Sequence, residues 1–214
     1  EELLAITEMS REGEKVAIIG GGPAGLAAAY HAQKHGLQAT VFEKRETLGG
    51  IVRNVIPGFR IGDAIDNDIA LIKKTGAEFV MGKEAPDVKE LKAMGFDYIV
   101  LACGAEKKGR LNIEGNVMNV IDFLYAFKNG GELKLGRNVA VVGGGNTAMD
   151  AARAAKRAEG VEKVTLVYRR NRRYMPADLE ELELAIEDGV EFMELASPVK
   201  QADGKLICNK MKLG

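Results

Sequence analysis

The stretch Lys15-Val-Ala-Ile-Ile-Gly-Gly-Gly-Pro-Ala-Gly25 decides the fold of this 214-residue chain. Residues 15–19, with the apolar run Val-Ala-Ile-Ile, predict a buried parallel strand, because glycines follow directly. Gly20-Gly21-Gly22-Pro23-Ala24-Gly25 then fits the pattern GxGxxG, and the Ala- and Leu-rich segment 24–35 predicts a helix. Residues 38–42 predict a second strand that ends at Glu43. The chain therefore begins with a βαβ unit of the kind that binds dinucleotides.

Each glycine of this motif has a physical role in the prediction. Gly20 permits the tight turn, Gly22 lets the backbone approach a pyrophosphate, and Gly25 lets the helix pack closely on the strand. The phosphates would lie at the helix N-terminus, where free N–H groups and the dipole favour an anion. Glu43, about twenty residues after Gly20, would bond ribose hydroxyls and repel a 2′-phosphate. The alternative for this motif is a glycine-rich turn that binds nothing.

The same pattern returns in the second half of the chain. Residues 138–142 predict a strand, the loop Gly143-Gly144-Gly145-Asn146-Thr147-Ala148 fits the variant GxGxxA, and residues 147–158 predict a helix. The repeat indicates a second dinucleotide site built in the same way.

The second strand of this repeat, 164–168, is followed by basic residues instead of an acid. Arg169 and Arg170 could fork onto a 2′-phosphate, so the second site is expected to prefer NADPH over NADH. The first site, with its acid, would hold FAD. The alternative is that the four arginines of this stretch form a solvated basic patch: Arg169, Arg170, Arg172 and Arg173.

The rest of the chain continues the alternation of strands and helices, which favours an α/β fold with two Rossmann-like units and parallel sheets flanked by helices. Helices are predicted over 63–75, 86–94, 120–128 and 178–187, and strands over 77–81, 97–102 and 190–195. We expect an N-terminal arm (1–13), the N-terminal portion of an FAD-binding domain (14–104), a connector (105–137) and an NADPH-binding domain that is itself cut short (138–214).

The composition excludes several other classes of protein. The 30 Lys and Arg residues balance 31 Asp and Glu residues, which gives no general attraction to nucleic acid or to an acidic membrane. No apolar run approaches the roughly 20 residues of a membrane span, and residues 1–15 lack a signal-peptide pattern. The two cysteines, Cys103 and Cys208, form no CxxC motif, which disfavours disulfide chemistry and a metal centre. A cytoplasmic protein is expected.

Six motifs together resemble one known family. They are VAIIGGGPAGLAAA (16–29), FEKRETLGG (42–50), IPGFR (56–60), LACGA (101–105), VAVVGGGNTAMDAAR (139–153) and VYRRNRRYMPA (167–177). This set resembles the small (β) subunit of NADPH-dependent glutamate synthase and the homologous segment of dihydropyrimidine dehydrogenase, over roughly residues 14–200. The resemblance implies a glutathione-reductase-like FAD/NAD(P)-binding architecture, in which an NADPH domain is inserted into an FAD domain.

The resemblance also implies roles for single residues. The FAD site would take its pyrophosphate contacts from Gly20, Gly22, Pro23, Ala24 and Gly25, its adenosine contacts from Glu43 and Lys44, and its remaining contacts from Gly50, Ile51, Arg60, Ala102 and Gly104. The NADPH site would consist of Gly143, Gly144, Gly145, Asn146, Thr147, Arg169 and Arg170. A solvent-exposed charge is the alternative for Arg60, and Cys103 is expected to be a small buried residue.

The activity implied is an oxidoreductase that passes a hydride from NADPH to FAD and electrons on to a larger catalytic subunit or an iron–sulfur or ferredoxin-like acceptor. No catalytic side chain is predicted, because hydride transfer depends on the orientation of the cofactors more than on an acid or base. The family's cysteine-rich N-terminal domain and its C-terminal return to the FAD domain have no counterpart here. We therefore expect a fragment, and a truncated, non-catalytic nucleotide-binding module is the alternative function.

Overall fold

The computed structural model describes residues 13–105, 109 and 111–212 of the chain. The chain divides into two compact units. The first consists of Glu1–Asn54 and Gly58–Glu106, and the second of Val55–Pro57 and Lys107–Gly214. The predicted N-terminal arm lies outside the described residues, apart from Gly13. None of the helices in the described ranges combines the length and the apolar character that a membrane crossing requires.

The first unit is built on a four-stranded parallel sheet in the order β3-β2-β1-β4. Its strands are β1 (Lys15–Ile19), β2 (Gln38–Glu43), β3 (Glu78–Met81) and β4 (Tyr98–Leu101). Its helices are α1 (Pro23–Lys34), α2 (Gly50–Asn54), α3 (Gly58–Ile61), α4 (Ala64–Lys73) and α5 (Val88–Ala93). Each crossover between successive strands contains at least one helix, as parallel pairing requires.

The alternating side chains of β1 contribute to two different apolar cores. Val16 and Ile18 pack in the core that α1 and α4 cover, and Ala17 packs in a smaller core with Phe42 and Leu91. Because both faces of this strand are buried, its sequence is continuously apolar instead of alternating.

Helix α5 begins later than the predicted position 86. Asp87 caps it by accepting the N–H of Glu90 at 2.9 Å, while the Glu90 carboxylate accepts the N–H of Asp87 at 3.0 Å. This reciprocal capping box satisfies two N–H groups that the helix leaves free, so Pro86 precedes the cap and does not open the helix.

The second unit contains a three-stranded parallel sheet in the order β5-β6-β7. Its strands are β5 (Asn138–Val142), β6 (Lys163–Val167) and β7 (Glu191–Met193). Its helices are α6 (Val120–Lys128), α7 (Asn146–Lys156) and α8 (Leu179–Glu187), with a 3₁₀ turn over Arg172–Tyr174. The three α-helices contribute to one apolar core.

The segment predicted as a connector, 105–137, supplies part of that core. Helix α6 buries Phe123 and Leu124, and α6 packs on α7. Val55 belongs to the same core, and the Lys128 ammonium donates to the carbonyl of Ile56 at 2.5 Å. The second unit therefore begins well before residue 138.

A hairpin that the sequence analysis left unassigned follows β7. Strands β8 (Ala196–Ala202) and β9 (Lys205–Lys210) pair antiparallel. Asp203 and Gly204 join them with φ values of 51° and 71°. Two successive positive φ values indicate a type I′ turn, whose twist matches that of the strands it connects.

Candidate dinucleotide sites

Gly20 makes the turn that leads out of β1. Its N–H donates to the carbonyl of Phe42 at 2.8 Å, and its φ is +110°, a conformation that favours glycine. A side chain at Gly20 would collide with the carbonyl of Ala102, and one at Gly25 would collide with the carbonyl of Gly20. The first and last glycines of this loop are therefore required by the packing of the chain itself.

Gly22 differs from these two, because the chain itself leaves space above it. It is the N-cap of α1 with φ −77°, which any residue can adopt, and a Cβ there would meet only the Cα of Gly50, at 3.8 Å. The first helical residues, Pro23, Ala24 and Gly25, are uncharged. Open space beside uncapped N–H groups at the positive end of a helix fits a pyrophosphate.

The Glu43 carboxylate braces this first loop. Glu43 is only 7% exposed, and its two oxygens accept the N–H of Gly21 at 2.7 Å and the N–H of Arg45 at 2.9 Å. A carboxylate oxygen can accept more than one hydrogen bond, so acceptor capacity remains for a ribose hydroxyl. The acid therefore holds the loop, and its contact with a ribose stays a prediction.

A second segment closes against the same loop. Gly49 donates its N–H to the carbonyl of Gly21 at 2.8 Å. Gly50 has φ +54°, and a Cβ on it would approach the Cα of Gly22 to 2.9 Å, so position 50 requires glycine. Helix α2 begins here, which brings a second helix N-terminus to the loop.

The remaining residues predicted for the first site have varied surroundings. Ala102 joins the loop region through its N–H, which donates to the carbonyl of Ile19 at 2.8 Å. Lys44, Ile51 and Gly104 are exposed, and Arg60 is half-buried on α3.

The two cysteines are both free thiols. Cys103 is exposed, so the expectation that it is buried was wrong; β4 ends at Leu101 and the chain has left the sheet by residue 103. Cys208 is half-buried on β9, and burial raises the pKa of its thiol. A raised pKa lowers the thiolate fraction and hence the reactivity of this group.

The second loop repeats the first in its backbone. Gly143 donates its N–H to the carbonyl of Val167 at 3.1 Å, and Ala177 donates to the carbonyl of Gly144 at 2.9 Å. Gly145 is the N-cap of α7 with φ −99°, and no atom of the described residues lies within 4 Å of a Cβ placed on it. The open cradle at a helix N-terminus is therefore present twice, and the second one also fits a pyrophosphate.

Tyr168 takes the position that Glu43 has in the first unit. Gly20 bonds to Phe42, the residue before Glu43, and Gly143 bonds to Val167, the residue before Tyr168. Tyr168 is 7% exposed, and its ring lies so close to Gly144 that a Cβ there would collide with it. The second strand was predicted to include Tyr168, but β6 ends at Val167.

The arginines after Tyr168 fall into two groups. Arg172 is engaged, because its guanidinium donates to Glu183 at 2.7 Å and its N–H donates to Glu194 at 2.7 Å. Arg169 and Arg170 are exposed, and no ion pair joins either of them to another described residue. Arg172 is therefore held within the chain, whereas Arg169 and Arg170 have no ion-pair partner among the described residues; for these two, the 2′-phosphate contact and the solvated patch both stay predictions.

Asn146 is tied to the start of α8. Its amide nitrogen donates to the Asp178 carboxylate at 3.1 Å, and its amide oxygen accepts the N–H of Asp178 at 3.1 Å. One amide hydrogen remains for a phosphate, since the nitrogen carries two. The neighbouring Thr147 is exposed.

An ion-pair cluster fixes α7 against the C-terminal end of α8. Asp188 accepts hydrogen bonds from Arg153 at 2.6 Å and from Arg157 at 2.6 and 2.8 Å. The hydrogen bond from Arg157 is the main reason that the pKa of Asp188 lies below its ordinary value, with the bond from Arg153 adding to it and desolvation opposing both. The cluster orients the helix whose N-terminus forms the second cradle.

Two βαβ units, each with a glycine loop at a helix N-terminus, define a dinucleotide-binding α/β protein. Residues 14–211 match the family described as pyridine nucleotide-disulphide oxidoreductase, and the chain belongs to that family. It is therefore a member of an oxidoreductase family, although its two cysteines do not form the CxxC pair that disulfide exchange uses.

Curated relatives of known name agree with the resemblance drawn from the motifs. The chain is 47% identical to the YgfK protein of Escherichia coli (strain K12), covering 93% of this chain and 20% of YgfK. It is 37% identical to the NADPH-Fe(3+) oxidoreductase subunit beta of Geobacter sulfurreducens, covering 95% and 33%. It is 34% identical to the glutamate synthase [NADPH] small chain of Azospirillum brasilense, covering 88% and 43%. The similarity to glutamate synthase small chains is confirmed, and the chain spans well under two thirds of each of these relatives.

Solved structures confirm the predicted fold class. A 2-naphthoyl-CoA reductase superposes with a TM-score of 0.76 at 22% identity, covering 98% of this chain and 32% of that chain. The thioredoxin reductase of T. acidophilum superposes with a TM-score of 0.62 at 18% identity, covering 92% and 74%. These likenesses establish parallel sheets flanked by helices in an FAD/NAD(P)-binding type of architecture.

Proposed function

We propose that this chain is the FAD- and NADPH-binding part of an oxidoreductase that takes electrons from NADPH and delivers them to a partner subunit or an iron–sulfur centre. In this proposal the first loop binds FAD and the second binds NADPH. When bound, the two cofactors supply the redox chemistry, a hydride passed from nicotinamide to flavin.

One observation carries the assignment of the two cofactors. The two loops have equivalent backbone hydrogen bonds, yet the second strand of the first unit ends in a buried carboxylate, whereas two exposed arginines come shortly after the second strand of the second unit. A carboxylate at this place repels a 2′-phosphate, and guanidinium groups attract one. The adenosine ribose of FAD has a free 2′-hydroxyl, whereas that of NADPH carries a 2′-phosphate.

The residues of the chain would contribute binding and orientation. The uncapped N–H groups at the starts of α1 and α7 would hold the pyrophosphates, and the space above Gly22 and Gly145 would admit them. Glu43 would accept from the adenosine ribose of the first nucleotide. Arg169 and Arg170 would donate to the 2′-phosphate of the second.

The names of the relatives support an electron acceptor outside this chain. One is a subunit of an NADPH-Fe(3+) oxidoreductase and another is a small chain of glutamate synthase. Both names describe a component of a larger assembly, and we infer a larger catalytic subunit or a ferredoxin-like centre as the acceptor here.

A spectroscopic experiment tests this function. The purified chain is mixed with FAD, freed of unbound flavin by gel filtration and titrated with NADPH in the absence of oxygen. We expect retained flavin absorbance that NADPH bleaches and NADH bleaches poorly. A colourless chain that still binds NADPH would instead support a non-catalytic nucleotide-binding module, and a chain that binds neither nucleotide would refute both functions.

A further inference from the structure

The turn that carries Arg169 and Arg170 is held from several sides by named hydrogen bonds. Leu195 donates its N–H to the carbonyl of Arg170 at 3.2 Å, and Glu194 accepts the N–H of Arg172. Leu195 has φ +55°, a strained conformation for a branched residue. Strain of this kind persists only where the surrounding structure enforces it.

Tyr168 is the residue on which these contacts converge. Its N–H donates to the carbonyl of Met193 at 2.9 Å, and its carbonyl accepts the N–H of Ala196 at 3.1 Å. Its hydroxyl donates to the carbonyl of Tyr174 at 2.6 Å, which closes the far end of the arginine turn. Its ring packs on Gly144, the middle glycine of the second loop. One side chain thus spans the phosphate cradle and the arginine turn.

We propose that Tyr168 is a positioning residue that sets the selectivity of the second site for a 2′-phosphorylated nucleotide. The ring holds the start of the turn against the loop, and the hydroxyl holds the end of the turn at Tyr174. The backbone that carries Arg169 and Arg170 is therefore fixed at both ends. Two long side chains on a mobile turn would lose more entropy on binding, and preorganisation reduces that loss. This inference rests on the proposed NADPH site and names the residue that gives it selectivity.

The equivalent position in the first unit shows how the contribution of Tyr168 differs from that of an acid. In the first unit Glu43 bonds the N–H of Gly21 from the equivalent place. A tyrosine there fills the same space without the negative charge, and its hydroxyl extends the support to the arginine turn. Removing only the hydroxyl should therefore loosen the turn and leave the loop packed.

Tyr168→Phe tests this directly, with Tyr174→Phe as a matched control. The Tyr174 side chain is 57% exposed, and its carbonyl, which accepts from Tyr168, remains in the control. Binding of NADP⁺ and NAD⁺ is measured by calorimetry, which avoids any redox change. We expect Tyr168→Phe to weaken NADP⁺ by about fivefold, the size of one intramolecular hydrogen bond, with NAD⁺ unchanged. Tyr174→Phe should leave both affinities unchanged.

A double-mutant cycle separates positioning from general support. In a variant that carries Arg169→Ala and Arg170→Ala, adding Tyr168→Phe should cause no further loss of NADP⁺ affinity, because the tyrosine acts through those arginines. If Tyr168→Phe lowered the affinities for NADP⁺ and NAD⁺ equally, or changed neither, this inference would be overturned while the proposed NADPH site would stand. A wild-type chain that fails to prefer NADP⁺ over NAD⁺ would instead overturn the proposed site itself, and the inference with it.

Discussion

In the first unit a buried carboxylate, that of Glu43, accepts the N–H of Gly21; in the second unit a buried ring, that of Tyr168, packs over Gly144. The backbones around these residues follow the same plan, from the turn glycine to the segment that returns against the loop. The comparison teaches that the two loops share their backbone hydrogen bonds but differ in the side chain at one position, the last residue of β2 in the first unit and the first residue after β6 in the second. In the proposed function, the choice of nucleotide differs between the two units while the fold of the loop is kept.

The two loops also differ in how tightly the helix approaches the strand. At the fourth position after the middle glycine, the first unit has Gly25 and the second has Ala148. A Cβ at Gly25 would collide with the carbonyl of Gly20, whereas Ala148 already carries one that is buried. Helix α1 is therefore set closer to its loop than α7 is.

The largest effect is expected from Gly25→Ala. The new methyl group must displace backbone, so we expect a loss of about 3 kcal/mol in the stability of the first unit, together with loss of FAD binding. The counterpart Ala148→Gly in the second unit should cost only about 1 kcal/mol, from helix propensity. Urea titrations followed by circular dichroism measure both. A Gly25→Ala variant as stable as wild type would show that the close approach is not required.

Gly22→Ala and Gly145→Ala should each weaken the binding of a different nucleotide while changing the stability of the fold little. Each methyl group enters open space, so the fold should lose less than about 1 kcal/mol, the cost of alanine at an N-cap. Each should block its own pyrophosphate, and we expect at least about thirtyfold weaker binding, a loss of about 2 kcal/mol. Calorimetry with FAD and with NADP⁺ is the measurement. If either variant weakened both nucleotides equally, the two loops would not be independent sites.

Replacement of Arg169 and Arg170 together by alanine should weaken NADP⁺ by about tenfold, because charge-assisted hydrogen bonds to a phosphate are lost. NAD⁺ affinity should change little. Arg172→Ala serves as the control, since Arg172 already pairs with Glu183. Equal weakening of NADP⁺ and NAD⁺, or no weakening, would contradict a 2′-phosphate contact.

The smallest effect concerns the ion pairs that hold the helices. The pKa of Asp188 lies below its ordinary value of 3.8, so its contribution to stability is present above that pH and is lost as the pH falls through the lower, folded-state value. Asp188→Asn should cost about 1 kcal/mol at pH 7 and nothing at a pH below the folded-state pKa. In the first unit, Asp66→Asn should cost less, because the pair Arg53–Asp66 is more exposed. Urea titrations at several pH values compare the two, and a pH-independent cost for Asp188→Asn would exclude the charge as its cause.

The sequence predicted the regular parts of the fold because local patterns determine them. Strands β1 and β5 and helix α6 have the predicted bounds, Lys15–Ile19, Asn138–Val142 and Val120–Lys128. The β8–β9 hairpin was missed although Asp203-Gly204 is a strong hairpin signal. The short helices α2 and α3 were also missed, because a few residues carry too little periodicity to indicate a helix.

The sequence indicated which residues belong to the candidate sites, but not the contacts that hold those residues in place. The glycines and the arginines could be found by pattern, whereas the role of Tyr168 depends on the register between Gly143 and Val167, which no pattern reveals. The closure of Gly49 and of Ala177 against the two loops is likewise a contact between residues far apart in sequence. Such contacts follow from packing, so they required the structure.

The most direct test of the central claim is hydrogen exchange measured with one nucleotide at a time. We expect FAD to slow amide exchange in residues 20–26, and NADP⁺ to slow it in residues 143–149 and 169–174. The two patterns should not interchange, because under this proposal Glu43 would repel the 2′-phosphate of NADP⁺ and Arg169 and Arg170 would attract it. Protection of the same loop by both nucleotides, or protection of the first loop by NADP⁺, would contradict the assignment of one cofactor to each unit.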